Sequence, residues 1–139
     1  MRILIVDDNH QALESLGRLF TLDGHTVTLT TNATEGLAHA AANIPDVILL
    51  DIALPTMDGF SLAKAIRAIE MKPRPLIIAV SAYSGNDDVA RGRAAGFDYH
   101  FPKSVSPAML KQLIQDRRIQ GTADQLAQQQ DETRIRSVK

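Results

Sequence analysis

Three short stretches of the chain are apolar at every position: Ile3 to Val6, Val47 to Leu50 and Leu76 to Val80. Unbroken apolar runs of this length predict strands buried on both faces, the pattern of a parallel sheet interior. Two weaker segments complete the set. His25 to Thr30 alternates apolar and polar positions and reads as an edge strand, and Asp98 to Phe101 reads as a last strand. Between the runs, apolar residues recur at helical spacing. Leu13, Leu16 and Phe20 share one helix face, with Gly24 as the stop. Asn32 to Ala42 is alanine-rich, and Ser61 to Ile69 carries Leu62, Ile66 and Ile69 on one side. Asp87 to Ala95 reads as a helix weakened by Gly92, at a cost of about 1 kcal/mol relative to alanine. Ser106 and Pro107 read as the N-cap and first position of a final helix bearing Leu110, Leu113 and Ile114. Strand and helix alternate five times. That order predicts a doubly wound (βα)5 sandwich of three layers around a five-stranded parallel sheet.

A length of 139 residues is that of one domain. Beyond Gln120 only Leu126, Ile135 and Val138 are strongly apolar. Residues 1–118 are therefore expected to form the domain, and 119–139 a polar tail or helical extension. Fifteen basic and sixteen acidic residues leave a net charge of -1, which argues against nucleic-acid binding by bulk positive charge. The absence of cysteine excludes disulfides, thiolate metal sites and a cysteine nucleophile. No apolar run approaches the roughly 18 residues of a membrane span. The N-terminus lacks the apolar core of a signal peptide. A cytoplasmic protein without membrane contact is the expectation.

Ligands of doubly wound sheets bind beyond the carboxyl ends of the strands. The residues there are Asp7, Asp8, Asp51 and Ser81, and Lys103 follows the last strand. Three carboxylates at one edge repel one another, and a divalent cation is the usual relief. Mg²⁺ takes oxygen ligands, keeps several waters and commonly shares its shell with a phosphate. Lys103 adds a positive charge able to pair with an anion at the same place.

With these residues placed, the chain resembles the receiver domain of bacterial two-component response regulators. The resemblance covers residues 2–118. It rests on Ile3-Leu4-Ile5-Val6-Asp7-Asp8-Asn9, on Asp51-Ile52-Ala53-Leu54-Pro55-Thr56-Met57-Asp58-Gly59, on Val80-Ser81-Ala82, and on Ala95-Gly96-Phe97-Asp98-Tyr99 leading to Lys103. It implies a flavodoxin-like fold and a Mg²⁺-dependent phosphoacceptor at Asp51. By the same resemblance Asp7, Asp8, Asp51 and the backbone carbonyl of Ala53 hold Mg²⁺, Ser81 hydrogen-bonds the phosphoryl group, and Lys103 pairs with a phosphoryl oxygen. The implied donor is a phosphohistidine on a sensor histidine kinase or histidine phosphotransfer protein, or a small acyl phosphate. The implied output is a protein contact with a downstream partner or a second copy of the chain, without direct nucleic-acid binding. Such a protein is not an enzyme beyond catalysing its own phosphorylation and dephosphorylation.

Two positions depart from the family pattern. Ser104 stands where proline usually follows the lysine, so a trans bond and a shifted Lys103 are expected, because a cis bond before serine would cost about 2.5–4 kcal/mol. His100 stands at the switch position usually held by Tyr or Phe. Histidine changes charge nearest neutral pH, which suggests a switch biased outward in acid; the alternative is an exposed partner-binding residue. Tyr83 could shield the phosphoryl group. His10, His25 and His39 are expected to face solvent. The helix over Asp87 to Ala95 is expected to be the mobile element.

Other classes can be weighed against this one. A flavodoxin-like electron carrier needs a phosphate-cradling first turn, which Asp7 and Asp8 would repel. A haloacid-dehalogenase-like aspartyl phosphatase needs Asp-x-Asp after the first strand, where this chain has adjacent aspartates. A phosphate-relay intermediate and a non-phosphorylated docking module also remain. The strand run begins at Arg2 and only twenty-one residues follow Arg118. A stand-alone receiver or a piece of a longer chain is therefore expected, with no room here for an output domain.

Overall fold

The computed structural model describes residues 1–82 and 85–117. Tyr83 and the tail over 119–139 lie outside the described residues. The order is β1 (Arg2–Val6), α1 (His10–Leu22), β2 (Thr26–Thr30), α2 (Ala33–Ala42), β3 (Val47–Leu50), α3 (Gly59–Ala68), β4 (Leu76–Ser81), α4 (Asn86–Ala95) and β5 (Tyr99–Pro102). Residues 107–117 form a further helix, α5, in which Leu110 and Ile114 are buried. The five strands are parallel, in the order β2-β1-β3-β4-β5.

The three continuous apolar runs became the three interior strands, since only an interior strand is covered on both faces. The alternating β2 lies at an edge, with Leu29 41% exposed. Side chains alternate across the sheet with period two. Leu4, Val6, Ile48, Leu50, Ile77 and Ala79 share one face and join Phe60, Leu62, Ala63 and Ile66 of α3 in the main core. Gly36 brings α2 onto that face, where an added Cβ would lie 2.9 Å from Val6. Gly17 brings α1 onto the opposite face, against Leu29, the register partner of Ile5. The buried stripe of α1 is therefore Leu13, Gly17 and Phe20, with Leu16 only half-buried.

Polar side chains set the helix starts. Asn9 accepts from the Ala12 N–H, Asn32 from the Glu35 N–H and Asp58 from the Ser61 N–H, each satisfying an orphan donor of the first turn. A second polar knot ties loops at the other end of the sheet. Arg67 donates to the carbonyls of Gly96 and Pro75 and pairs with Asp98 at 2.9 Å, and Asp98 also accepts from the Ile77 N–H. Of the histidines expected to face solvent, His10 and His39 do. His25 does not. It is half-buried, 3.1 Å from the N-terminal amine and edge-on to the Phe20 ring, because the first strand brings the chain terminus alongside it. Among the described residues no helix is long and apolar enough to cross a membrane.

Candidate functional site

Beyond the carboxyl ends of the strands the ladder runs on by one more bond. The Asp7 N–H donates to the Thr30 carbonyl at 3.1 Å, the Asp51 N–H to Val6 at 2.9 Å, and the Lys103 N–H to Ser81 at 3.1 Å. Each residue thus leaves the sheet with its backbone still fixed by a neighbouring strand. The chain steps from β1 to β2 on one side and returns through α2 to β3 on the other, so the Asp7 and Asp51 ends flank the point where the strand order reverses.

The side chains converge there. One carboxylate oxygen from each of Asp7, Asp8 and Asp51 lies within 4.8 Å of the others. Asp7 and Asp51 are buried, whereas Asp8 is exposed. Lys103 bridges the two buried acids, with Nζ 2.8 Å from Asp7 Oδ2 and 3.2 Å from Asp51 Oδ2. Asp7 Oδ1 accepts from the Asn9 N–H and Asp51 Oδ1 from the Ala53 N–H, which orients both carboxylates. Burial pushes the Asp51 carboxyl above its ordinary value; Asp7 adds to the push, and Lys103 and the Ala53 N–H oppose it without cancelling it. Burial works to lower the Lys103 ammonium, but its hydrogen bond to Asp7 and the charges of Asp7 and Asp51 prevail and raise it.

Lys103 therefore contributes stability that is fully present below 10.5 and is lost as pH rises through its higher folded value. Lys103→Met should cost about 1–2 kcal/mol at neutral pH, a figure kept low because the ammonium is partly solvated. Urea unfolding measures it, and the cost should shrink at strongly alkaline pH. An unchanged midpoint at neutral pH would show that the two ion pairs carry no weight.

Ser81 is the last residue of β4 and fully buried, one position nearer the sheet than the apolar run suggested. The peptide bond between Lys103 and Ser104 is trans, as expected for serine. The expected displacement of Lys103 does not follow, since its ammonium reaches both acids. The Val105 N–H closes this turn on the Pro102 carbonyl at 2.9 Å. His100 is half-buried on β5 with its ring edge-on to Phe97, 5.8 Å between centroids. In the sequence Gly59 stood only as the last residue of the stretch from Asp51 that carries the family resemblance. In the structure an added Cβ there would lie 2.6 Å from the Asp51 carbonyl oxygen and 2.7 Å from Ile52 Cα. The start of α3 is thereby packed directly on the loop that carries Asp51. The signal in the sequence was the Asp58-Gly59 pair, where Asp58 caps the helix and Gly59 permits the close approach.

Residues 3–115 match the family model of the response regulator receiver domain. The chain belongs to that family. Among curated proteins, this receiver is 38% identical over 113 residues to the transcriptional regulatory protein PrrA of Mycobacterium tuberculosis, covering 81% of this chain and 46% of that protein. It thus spans about half the length of that relative. It is also 32% identical over 115 residues to a 14.6 kDa protein of Leptolyngbya boryana, covering 83% of this chain and 88% of the other. Among solved structures, the receiver resembles a CheY-like receiver domain protein from Methanospirillum hungatei, at a TM-score of 0.78 and 29% identity, covering 88% and 97% of the two chains. It also resembles the N-terminal domain of a protein from Wolinella succinogenes, at 0.82 and 27%, covering 89% and 98%. The fold is that of these CheY-like receivers, and the protein is a receiver domain of the two-component response regulators.

Proposed function

We propose that this receiver accepts a phosphoryl group on Asp51 from a phosphohistidine of a sensor histidine kinase or histidine phosphotransfer protein. The phosphorylated form then presents an altered surface to a downstream protein. The observation that carries this reading is the buried Asp51 carboxylate, set among Asp7, the exposed Asp8 and the Lys103 ammonium beyond the carboxyl ends of the strands. An Asp51 oxygen attacks phosphorus in line. The phosphorus–nitrogen bond breaks, and its electron pair returns to the imidazole of the donor. Lys103 already lies beside the Asp51 carboxylate and needs only a short shift to pair with a phosphoryl oxygen. The Ser81 hydroxyl, at the end of the adjoining strand, is the hydrogen-bond donor assigned to another of those oxygens. Catalysis is confined to the chain's own Asp51.

The donor set fits a hard divalent cation. Three carboxylate oxygens lie within 4.8 Å, two from buried residues and one from an exposed residue that leaves a solvent side for water. Asp7, Asp8, Asp51 and the Ala53 carbonyl are the residues that would hold Mg²⁺. Bound there, Mg²⁺ supplies positive charge against the oxygens of the transferred group. Incubation with acetyl phosphate and Mg²⁺ should raise the intact mass by one phosphoryl group, and chelation should prevent it. A mass that never changes would reject the reading. Asp8→Ala should lower Mg²⁺ affinity by about 10- to 100-fold in a titration without any phosphodonor. Unchanged affinity would move the cation to another place.

A further inference from the structure

α4 has little of its own to hold it. Only Gly92 and Ala95 of this helix are buried, so no large apolar side chain anchors it. The space beneath is filled by an aromatic stack. Phe60 lies nearly parallel to Phe97, 5.5 Å between centroids at 19°. Phe97 meets His100 of β5 edge-on, at 84°. The exposed Arg91 of α4 lays its guanidinium 4.2 Å from the centre of the Phe60 ring. Gly92 is the socket: an added Cβ would lie 2.4 Å from Phe97 Cδ2 and 3.3 Å from His100 Nδ1. The Phe97 N–H also donates to the Gly92 carbonyl at 2.9 Å.

The other end of the stack is the phosphoacceptor loop. Phe60 follows Gly59, whose N–H donates to the Ile52 carbonyl at 2.8 Å and whose Cα backs onto the Asp51 carbonyl. Packing is therefore continuous from Asp51 through Gly59, Phe60 and Phe97 to α4 and β5. Both rings are almost wholly buried, and interiors at native density transmit displacement instead of absorbing it.

We infer that Phe60, Phe97 and Arg91 are positioning residues that tie the phosphoacceptor loop to α4, so that a change at Asp51 and a change in the seat of α4 act on each other. Its functional consequence rests on the reading of Asp51 as acceptor; the mechanical tie does not. Gly92 then serves the switch by admitting the stack, and the coupling runs through α3 in addition to any path from Ser81 to His100. Coupling of this kind is reciprocal. A partner that holds Arg91 away from Phe60 would loosen the loop, and a phosphoryl group that displaces the loop would loosen α4.

Amide hydrogen exchange of the unphosphorylated protein tests the tie. The Gly59 and Leu54 N–H groups both donate to the Ile52 carbonyl and report the loop. The Asp7 N–H, bonded to Thr30, reports the same end of the sheet outside the stack. Arg91→Gln alters an exposed side chain and should leave the fold intact. It should speed Gly59 and Leu54 exchange by about 3-fold or more, the effect of losing one cation–π contact, with Asp7 unchanged. Phe97→Leu should do the same more strongly, and Arg93→Gln, on the same helix, should do neither. Unchanged Gly59 and Leu54 exchange in both Arg91→Gln and Phe97→Leu would overturn the inference, as would equal acceleration at Asp7. Acetyl phosphate labelling of the wild type separates the two readings. Variants that exchange as expected, together with a wild type that takes no label, contradict the Asp51 reading alone.

Discussion

Gly59→Ala is expected to destabilise the receiver by about 3 kcal/mol, the upper end of the cost of overpacking. The obstacles to the new methyl group are backbone atoms, the Asp51 carbonyl oxygen at 2.6 Å and Ile52 Cα at 2.7 Å, with Leu50 Cδ1 at 2.9 Å. A side chain can rotate away from such a contact, but the main chain of a loop fixed by the Asp51 N–H to Val6 bond must shift bodily. That shift also moves the Asp51 carboxylate relative to Asp7 and Lys103. Phosphoryl transfer by positioning is sensitive to displacements of this kind. Gly85→Ala is the matched control. Its nearest neighbour would be Asp88 Oδ2 at 3.5 Å, so it should cost less than about 1 kcal/mol. Urea unfolding of the two variants checks the contrast, and equal midpoints would show that the loop has room.

What the sequence disclosed and what it hid divide along the range of the interactions. The runs at Ile3, Val47 and Leu76 were legible because burial on both faces demands apolar residues at every position, a local property. β2 was legible as an edge from its alternation. The acids were legible as a group because strand ends at one side of a parallel sheet are necessarily neighbours. The roles of Gly59 and Gly92 were not. Gly92 reads as a defect in a helix, yet the ring that requires it belongs to Phe97, outside the helix. His25 misled for the same reason, since its partners Phe20 and the terminal amine come from α1 and the start of the chain. The last strand begins at Tyr99, not Asp98, because Asp98 is drawn out to bind Arg67 and Arg74. Its composition gave no sign of that duty.

Asp51→Asn should separate stability from function. The Asp51 carboxyl is raised in the folded protein, so the folded state holds that proton more tightly than the unfolded chain does. The resulting stabilisation is full below 3.8 and is lost as pH rises through the folded value, leaving the ionised group a net cost near neutrality. Without metal at pH about 7, Asp51→Asn should therefore be more stable than wild type, because the neutral amide escapes the burial that penalises the ionised carboxylate. The gap should narrow as the pH falls and the wild-type carboxyl protonates. Mg²⁺ should reverse the order. At a concentration 100 times its dissociation constant a ligand adds about 2.7 kcal/mol, and the variant has lost one of the carboxylates that would hold it. Thermal unfolding with and without Mg²⁺ measures both effects, and an equal gain in the two proteins would take Asp51 out of the cation site.

Reduction of the acetyl-phosphate-treated protein with borohydride converts an aspartyl phosphate to homoserine, and peptide mapping then gives its position. Homoserine is expected at position 51, and none in Asp51→Asn or when Mg²⁺ is chelated. Homoserine at position 7 or 8 instead, or undiminished labelling of Asp51→Asn, would contradict Asp51 as the phosphoacceptor.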